Sequence, residues 1–190
     1  MPIHTDDHEA VCTITSLPAP ILDNIAEQLF LTYQSTTDIR ACSLVCKTFH
    51  NHFRPFAFRT IHLLDWIFRR PDIPQRFAAL LLQKPSIGPY IRTLKFSLEG
   101  PREQWEHAFE TIAARVPNLR ELRLATDFKE ESWTTTSEVL QRGLKSIFAC
   151  PMLRSVELRG TIVCAVPHSL ILSLPSLTTL TVAPYEGGGA

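Results

Sequence analysis

The chain has no surplus of charge: 19 Lys and Arg are set against 19 Asp and Glu in 190 residues. Proteins that grip phosphate backbones carry a basic excess, so nucleic acid is not an expected partner. No apolar run approaches the roughly 18 residues of a membrane span, so no membrane partner is expected either. The opening stretch, MPIHTDDHEAVCTITS, contains acidic residues but no Lys or Arg, which does not fit a signal peptide. G-x-S-x-G, P-loop and G-x-G-x-x-G motifs are missing, and with them the usual nucleophile turn and phosphate cradles. The expectation is a protein that is not an enzyme, with no catalytic residue and no cofactor.

A disulfide framework is also lacking. The five cysteines, Cys12, Cys42, Cys46, Cys150 and Cys164, are odd in number and irregular in spacing. Reduced thiols in a cytoplasmic or nuclear compartment are the simpler reading. Cys42 and Cys46 stand one helical turn apart, but no second ligand pair sits at zinc spacing. They read as small core residues, and no metal is expected. His50 and His52 would point to nearly opposite sides of a helix, and Arg69-Arg70 reads as a solvated helix end.

What is present is a repeated pattern. With 45% apolar and 20% charged residues, the composition supports a packed core. From residue 85, four segments share the template Pro, any residue, apolar-x-x-apolar-x-apolar. They begin at Pro89 (Ile91, Leu94, Phe96), Pro117 (Leu119, Leu122, Leu124), Pro151 (Leu153, Val156, Leu158) and Pro175 (Leu177, Leu180, Val182). Alternation of this kind predicts short strands at 91–96, 119–124, 153–158 and 177–182, each with one apolar side. Arg120 and Arg123 fall off that side. The proline marks the end of a preceding helix.

Trp105, Phe109, Ile112 and Val116 recur at helical spacing behind Gly100-Pro101, as do Leu140, Leu144 and Ile147 further on. A shorter helix is expected between Pro167 and Leu174. Helix, proline and strand repeating every 24–34 residues predicts a parallel, leucine-rich-repeat-like solenoid.

Ahead of the array, residues 17–63 show helical periodicity. Ile21, Leu22, Ile25 and Leu29 form one stripe behind Pro18 and Pro20. After the polar break Gln34–Asp38, a second helix would carry Ile39, Cys42, Cys46 and Phe49 on one face and Leu44 and Val45 on another. A third short helix would hold Phe53 and Phe56. Three short helices with more than one apolar face leave surface for something else to bury.

This segment resembles the F-box motif. The residues that carry the resemblance are Leu17-Pro18, the apolar helix with Ile25 and Leu29, the turn at Asp38-Ile39, and Ser43-Leu44-Val45-Cys46-Lys47. Phe56-Ala57-Phe58-Arg59-Thr60-Ile61 is similar to the closing segment common in F-box proteins of mushroom-forming fungi. Two positions depart from the family pattern: Ile21 replaces an acidic residue after Pro20, and Phe49 stands where Trp is frequent.

The resemblance implies an α/β protein: an N-terminal three-helix F-box followed by a short irregular leucine-rich-repeat-like solenoid with about four parallel strands. The expected division is a flexible tail at 1–16, the F-box-like domain at 17–63, a linker helix plus array at 64–184, and a flexible tail at 185–190. It also implies a role as substrate-recognition adaptor of an SCF-type cullin–RING ubiquitin ligase. The F-box would dock on the Skp adaptor and the repeats would hold an unknown protein substrate on the strand face or in loops such as 126–137. Leu17, Pro18, Ile21, Ile25, Leu44, Val45 and Phe49 are the implied adaptor contacts. The alternative is a ubiquitin-independent protein-binding module whose F-box-like helices only cap the solenoid.

Overall fold

The structure, a computed structural model, describes residues 14–33, 36–63, 72–98, 102–126, 137–160, 166–172 and 174–183. Residues 1–13 of the expected first tail, the expected tail at 185–190, Cys12, Cys164, Arg69-Arg70, Gly100-Pro101 and residues 127–136 of the expected loop lie outside the described residues, whereas Ile14–Ser16 of the first tail form a 3-10 turn. The protein is mixed α/β and divides into two compact units, Met1–Ala57 and Phe58–Ala190.

The first unit is helical. A 3-10 turn at Ile14–Ser16 precedes α1 (Ala19–Tyr33), α2 (Thr36–Ser43) and α3 (Lys47–Ala57). The Pro18 carbonyl accepts the Ile21 and Leu22 amides at 2.9 and 3.3 Å and so opens α1. The expected single stripe on α1 is divided: Leu22 and Ala26 are fully buried, whereas Ile21 is exposed and Ile25 half-buried. Residues 100° apart around a helix fall on neighbouring but distinct faces, and here the core takes one of them.

The expected second helix is also broken. It stops at Ser43 and restarts at Lys47, with Leu44 and Val45 in the turn between. Ser43 Oγ donates to the Arg40 carbonyl at 2.7 Å, a local bond that competes with continued helix. The core of the unit is Leu22, Ala26, Ile39, Phe49, Phe53 and Ala57. The Phe49 and Phe53 rings stand 5.1 Å apart, and His52 Nδ1 lies 2.7 Å from Asp23 Oδ1, tying α3 to α1.

The second unit is built on a five-stranded, all-parallel sheet in the order β1-β2-β3-β4-β5. The strands are β1 (Thr60–Leu63), β2 (Thr93–Ser97), β3 (Glu121–Thr126), β4 (Ser155–Gly160) and β5 (Thr179–Ala183). The four template segments are therefore parallel neighbours, in register: Leu94 faces Leu122, Leu122 faces Val156, and Val156 faces Leu180. Phe96, Leu124, Leu158 and Val182 form a second row.

Two corrections apply. First, each strand starts two residues later than expected. Ile91, Leu119, Leu153 and Leu177 bond back to the carbonyls of Gly88, Val116, Cys150 and Leu174, so the first apolar residue of each template closes a turn instead of joining the ladder. Second, the sheet has five strands. Thr60–Leu63, read as the end of the helical domain, pairs with β2, Ile61 opposite Leu94 and Leu63 opposite Phe96. Arg59-Thr-Ile-x-Leu63 repeats Arg92-Thr-Leu-x-Phe96 without the leading proline, which is why the template passed over it.

Helices α4 (Ile73–Gln83), α5 (Arg102–Ala113), α6 (Glu138–Phe148) and α7 (His168–Leu172) connect the strands. Residues 64–71 of the expected linker helix lie outside the described residues, and Pro74 sits in the first turn of α4, where its fixed backbone suits a helix start. Trp105, Phe109 and Ile112 of α5, and Leu140, Leu144 and Ile147 of α6, join Leu94, Phe96, Leu122 and Leu124 in one core. Phe109 meets Phe96 edge-on at 5.1 Å. Burying each such side chain stabilises by roughly 1.5–3 kcal/mol. Ser137 caps α6 by accepting the Leu140 amide at 3.2 Å.

Candidate partner-binding surfaces

Each unit offers one surface. In the helical unit it is apolar. Ile21 and Ile25 line a groove of about 610 Å³ along α1, with Pro20, Asn24, Gln28, Leu29 and Thr32. Leu44 and Val45 are 83% and 67% exposed although both are fully apolar. The Leu44 and Val45 amides bond to the Ala41 and Cys42 carbonyls at 3.1 Å, so the turn that presents them is hydrogen-bonded. Leu17 is half-buried and Pro18 exposed just ahead of α1. Phe49 differs from the other expected contacts: at 5% exposure it belongs to the core of its own unit. Leu29, already read as part of the α1 stripe, and Leu31 extend the apolar surface beyond the implied adaptor contacts. The four-residue spacing of Ile21, Ile25 and Leu29 was the visible signal for Leu29.

In the sheet unit the surface is polar. Alternation sends Leu94 and Phe96 inward and Thr93 and Lys95 to the other side. The outward middle row reads His62, Lys95, Arg123, Glu157, Thr181 across the strands. Arg123 Nε lies 2.5 Å from Glu157 Oε2, and Arg159 bonds to the other oxygen of the same carboxylate. Burial, then Lys95, then Arg123 push the His62 imidazole below its usual pKa. Thr93 Oγ1 donates to Glu121 Oε2 at 3.3 Å in the row beside it.

Just before the strands lies another row. The carbonyls of Arg59, Arg92, Arg120 and Arg154 each accept two amides from the next turn, at 2.8–2.9 and 3.0 Å. This fixed pattern stacks the four arginines, with Thr178 in the fifth place. Adjacent backbones in such a sheet are about 4.8 Å apart. Arg92 Nη1 donates to the Asn118 carbonyl at 3.1 Å, and Asn118 Nδ2 donates back to the Pro89 carbonyl at 2.9 Å. The Arg92 guanidinium is held below its usual pKa by burial first, then by Arg120 and Arg59. Arg120 Nε is enclosed without a hydrogen-bond partner among the described residues.

No protein-family model, no curated protein and no solved structure matches this chain. Among the described residues no helix is long and apolar enough to cross a membrane, and no three His, Cys, Asp or Glu side chains gather as a metal site.

Proposed function

We propose that the protein is the substrate-recognition adaptor of an SCF-type cullin–RING ubiquitin ligase. The helical unit acts as an F-box that docks on the Skp adaptor. The sheet unit acts as a short leucine-rich-repeat-like solenoid that holds a protein target. The chain itself catalyses nothing, and it works in the cytoplasm or nucleus.

The observation that carries this reading is the exposure of Leu44 and Val45 on a unit whose core is already closed by Leu22, Ile39, Phe49 and Phe53. Largely exposed neighbouring Leu and Val side chains gain roughly 25 cal/mol for each Å² removed from water. They fall within the Ser43–Lys47 segment that carries the F-box resemblance. Ile21 and Ile25, also within the resemblance, line the α1 groove. Leu17, Pro18, Ile21, Ile25, Leu44 and Val45 are the proposed contacts. Phe49 supports the unit from inside.

The test is binding of the full chain to the purified Skp adaptor by calorimetry. An interface of ordinary size needs about 800 Å² per partner. Leu44→Asp with Val45→Asp places two charges in that interface and is expected to weaken binding by about a hundredfold or more. Hydrogen exchange over residues 36–57 should stay unchanged in the variant. A folded, monodisperse parent that shows no binding at tens of micromolar removes the ligase reading and leaves a ubiquitin-independent module with a helical cap.

A further inference from the structure

We propose that the column formed by Arg59, Arg92, Arg120 and Arg154 grips an acidic segment of the target protein, one that presents several Asp or Glu side chains in an extended stretch. The inference rests on the reading of the sheet unit as the target-holding part.

The column is set by backbone, not by chance proximity. Every arginine occupies the residue before a strand, and each of the four carbonyls there is bonded twice to the next turn. Their backbones are thereby set at a repeat of about 4.8 Å, and the charges of Arg120 and Arg59 act on Arg92. Four other arginines, Arg76, Arg123, Arg142 and Arg159, each meet a carboxylate. Among the described residues none pairs with Arg92, Arg120 or Arg154. Arg92 is anchored through Asn118 and so is held in place before any ligand arrives. Arg120 keeps an enclosed Nε with no bond made. A planar guanidinium matches a carboxylate through two parallel hydrogen bonds, which answers the unbalanced charge.

The occupant is a peptide and not a nucleic acid for two reasons. The outward positions of the described strands carry Thr, Ser, Ala, Lys, Arg, Glu and one His, with no Phe, Tyr or Trp on which bases could stack. Glu121 also follows Arg120 directly and would repel an unbroken phosphate chain. Discrete acidic side chains can be spaced to avoid it.

The experiment measures fluorescence anisotropy of a labelled oligo-glutamate peptide with the full chain, beside its glutamine counterpart and a single-stranded oligonucleotide of equal charge. The expected result is saturable binding of the glutamate peptide alone, weakening as salt rises. Arg92→Gln with Arg120→Gln should reduce affinity by at least about tenfold, the loss of one charge-assisted pair or more. Arg154 is exposed, so Arg154→Glu tests the column without risk to the core and should also weaken binding. Peptide affinity unchanged in these variants, tighter binding of the oligonucleotide, or no peptide binding at all overturns the proposal. The same preparations are titrated with the Skp adaptor. Adaptor binding without peptide binding removes this inference alone, and peptide binding without adaptor binding removes the ligase reading alone.

Discussion

Leu44 in the helical unit and Leu122 in the sheet unit are the same side chain under opposite conditions. Leu44 stands 83% exposed on a turn between two helices. Leu122 is closed in by Leu94 on one side and Val156 on the other, and by the helices behind the sheet. The difference lies in periodicity. In the sheet each apolar residue has a counterpart in the next strand, so burial is shared along a row. In the helical unit the core needs one face of each helix, and whatever apolar residue falls elsewhere is left in water. Surplus apolar surface is therefore what the proposed adaptor docking uses in the first unit. In the second, the surplus is of charge.

The contrast can be broken most severely at Leu122. Leu122→Asp buries an unpaired carboxylate in the middle of the row, which commonly costs several kcal/mol. Amide protection over residues 93–126 should collapse in hydrogen-exchange mass spectrometry. Leu44→Asp should leave protection and melting within about 0.5 kcal/mol of the parent, as exposed substitutions usually do. Comparable losses in the two variants would mean that Leu44 is a core residue after all.

A smaller effect is expected at Gly88, which separates a rigid obstacle from a yielding one. A Cβ there would lie 1.9 Å from the Arg115 carbonyl oxygen, a backbone atom that cannot swing aside. Gly88→Ala should lower the melting temperature by several degrees, matching or exceeding the roughly 1–3 kcal/mol of ordinary overpacking. At Gly143 the added Cβ would meet the Phe109 ring at 2.7 Å. A side chain can give way, and alanine gains about 1 kcal/mol of helix preference there. Gly143→Ala should accordingly change stability less than Gly88→Ala, a ranking that paired thermal melts decide.

The smallest effect concerns pH. The folded imidazole of His62 has its pKa lowered from 6.5, by burial and then by Lys95 and Arg123 across the sheet. The folded state therefore binds this proton less readily than the unfolded chain. Its contribution is fully present above about pH 6.5 and is lost as pH falls through the lower folded value. His62→Gln should lose slightly less stability than the parent between pH 7.5 and pH 5. Because His62 is exposed, the gap should lie near the limit of a careful melt. A larger acid sensitivity in the variant would reverse the assigned sign.

Much of the sheet was legible because its rule is local. Proline ends a helix, and alternation then names the inward residues, so Leu94, Leu122, Val156 and Leu180 could be aligned before any coordinates. Beta1 escaped because its turn lacks the proline, although Arg59-Thr60 repeats Arg92-Thr93. The break after Ser43 escaped because Leu44 and Val45 are acceptable helix residues, and the competing bond from Ser43 to Arg40 depends on geometry. The arginine column was written in the sequence, one Arg after the first apolar residue of three templates, yet charge read residue by residue placed Arg120 simply off the apolar side. Its meaning depends on register, which single positions do not reveal. Burial of the last repeat was overestimated for a related reason. Leu180 and Val182 continue both inward rows but are 44% and 53% exposed at the sheet edge, where nothing among the described residues continues the rows.

The doubly bonded carbonyls before the strands make the backbone a ruler whose graduations do not depend on what lies between them. The template starts are 28, 34 and 24 residues apart, yet every strand enters the sheet on the same mark. Doubling the length of a flexible connection costs only about 0.6 kcal/mol in closure entropy. Connections can therefore be lengthened or shortened while the positions at the strand starts keep their spacing. New loops grafted onto this chain would leave the distance from one graduation to the next unaltered.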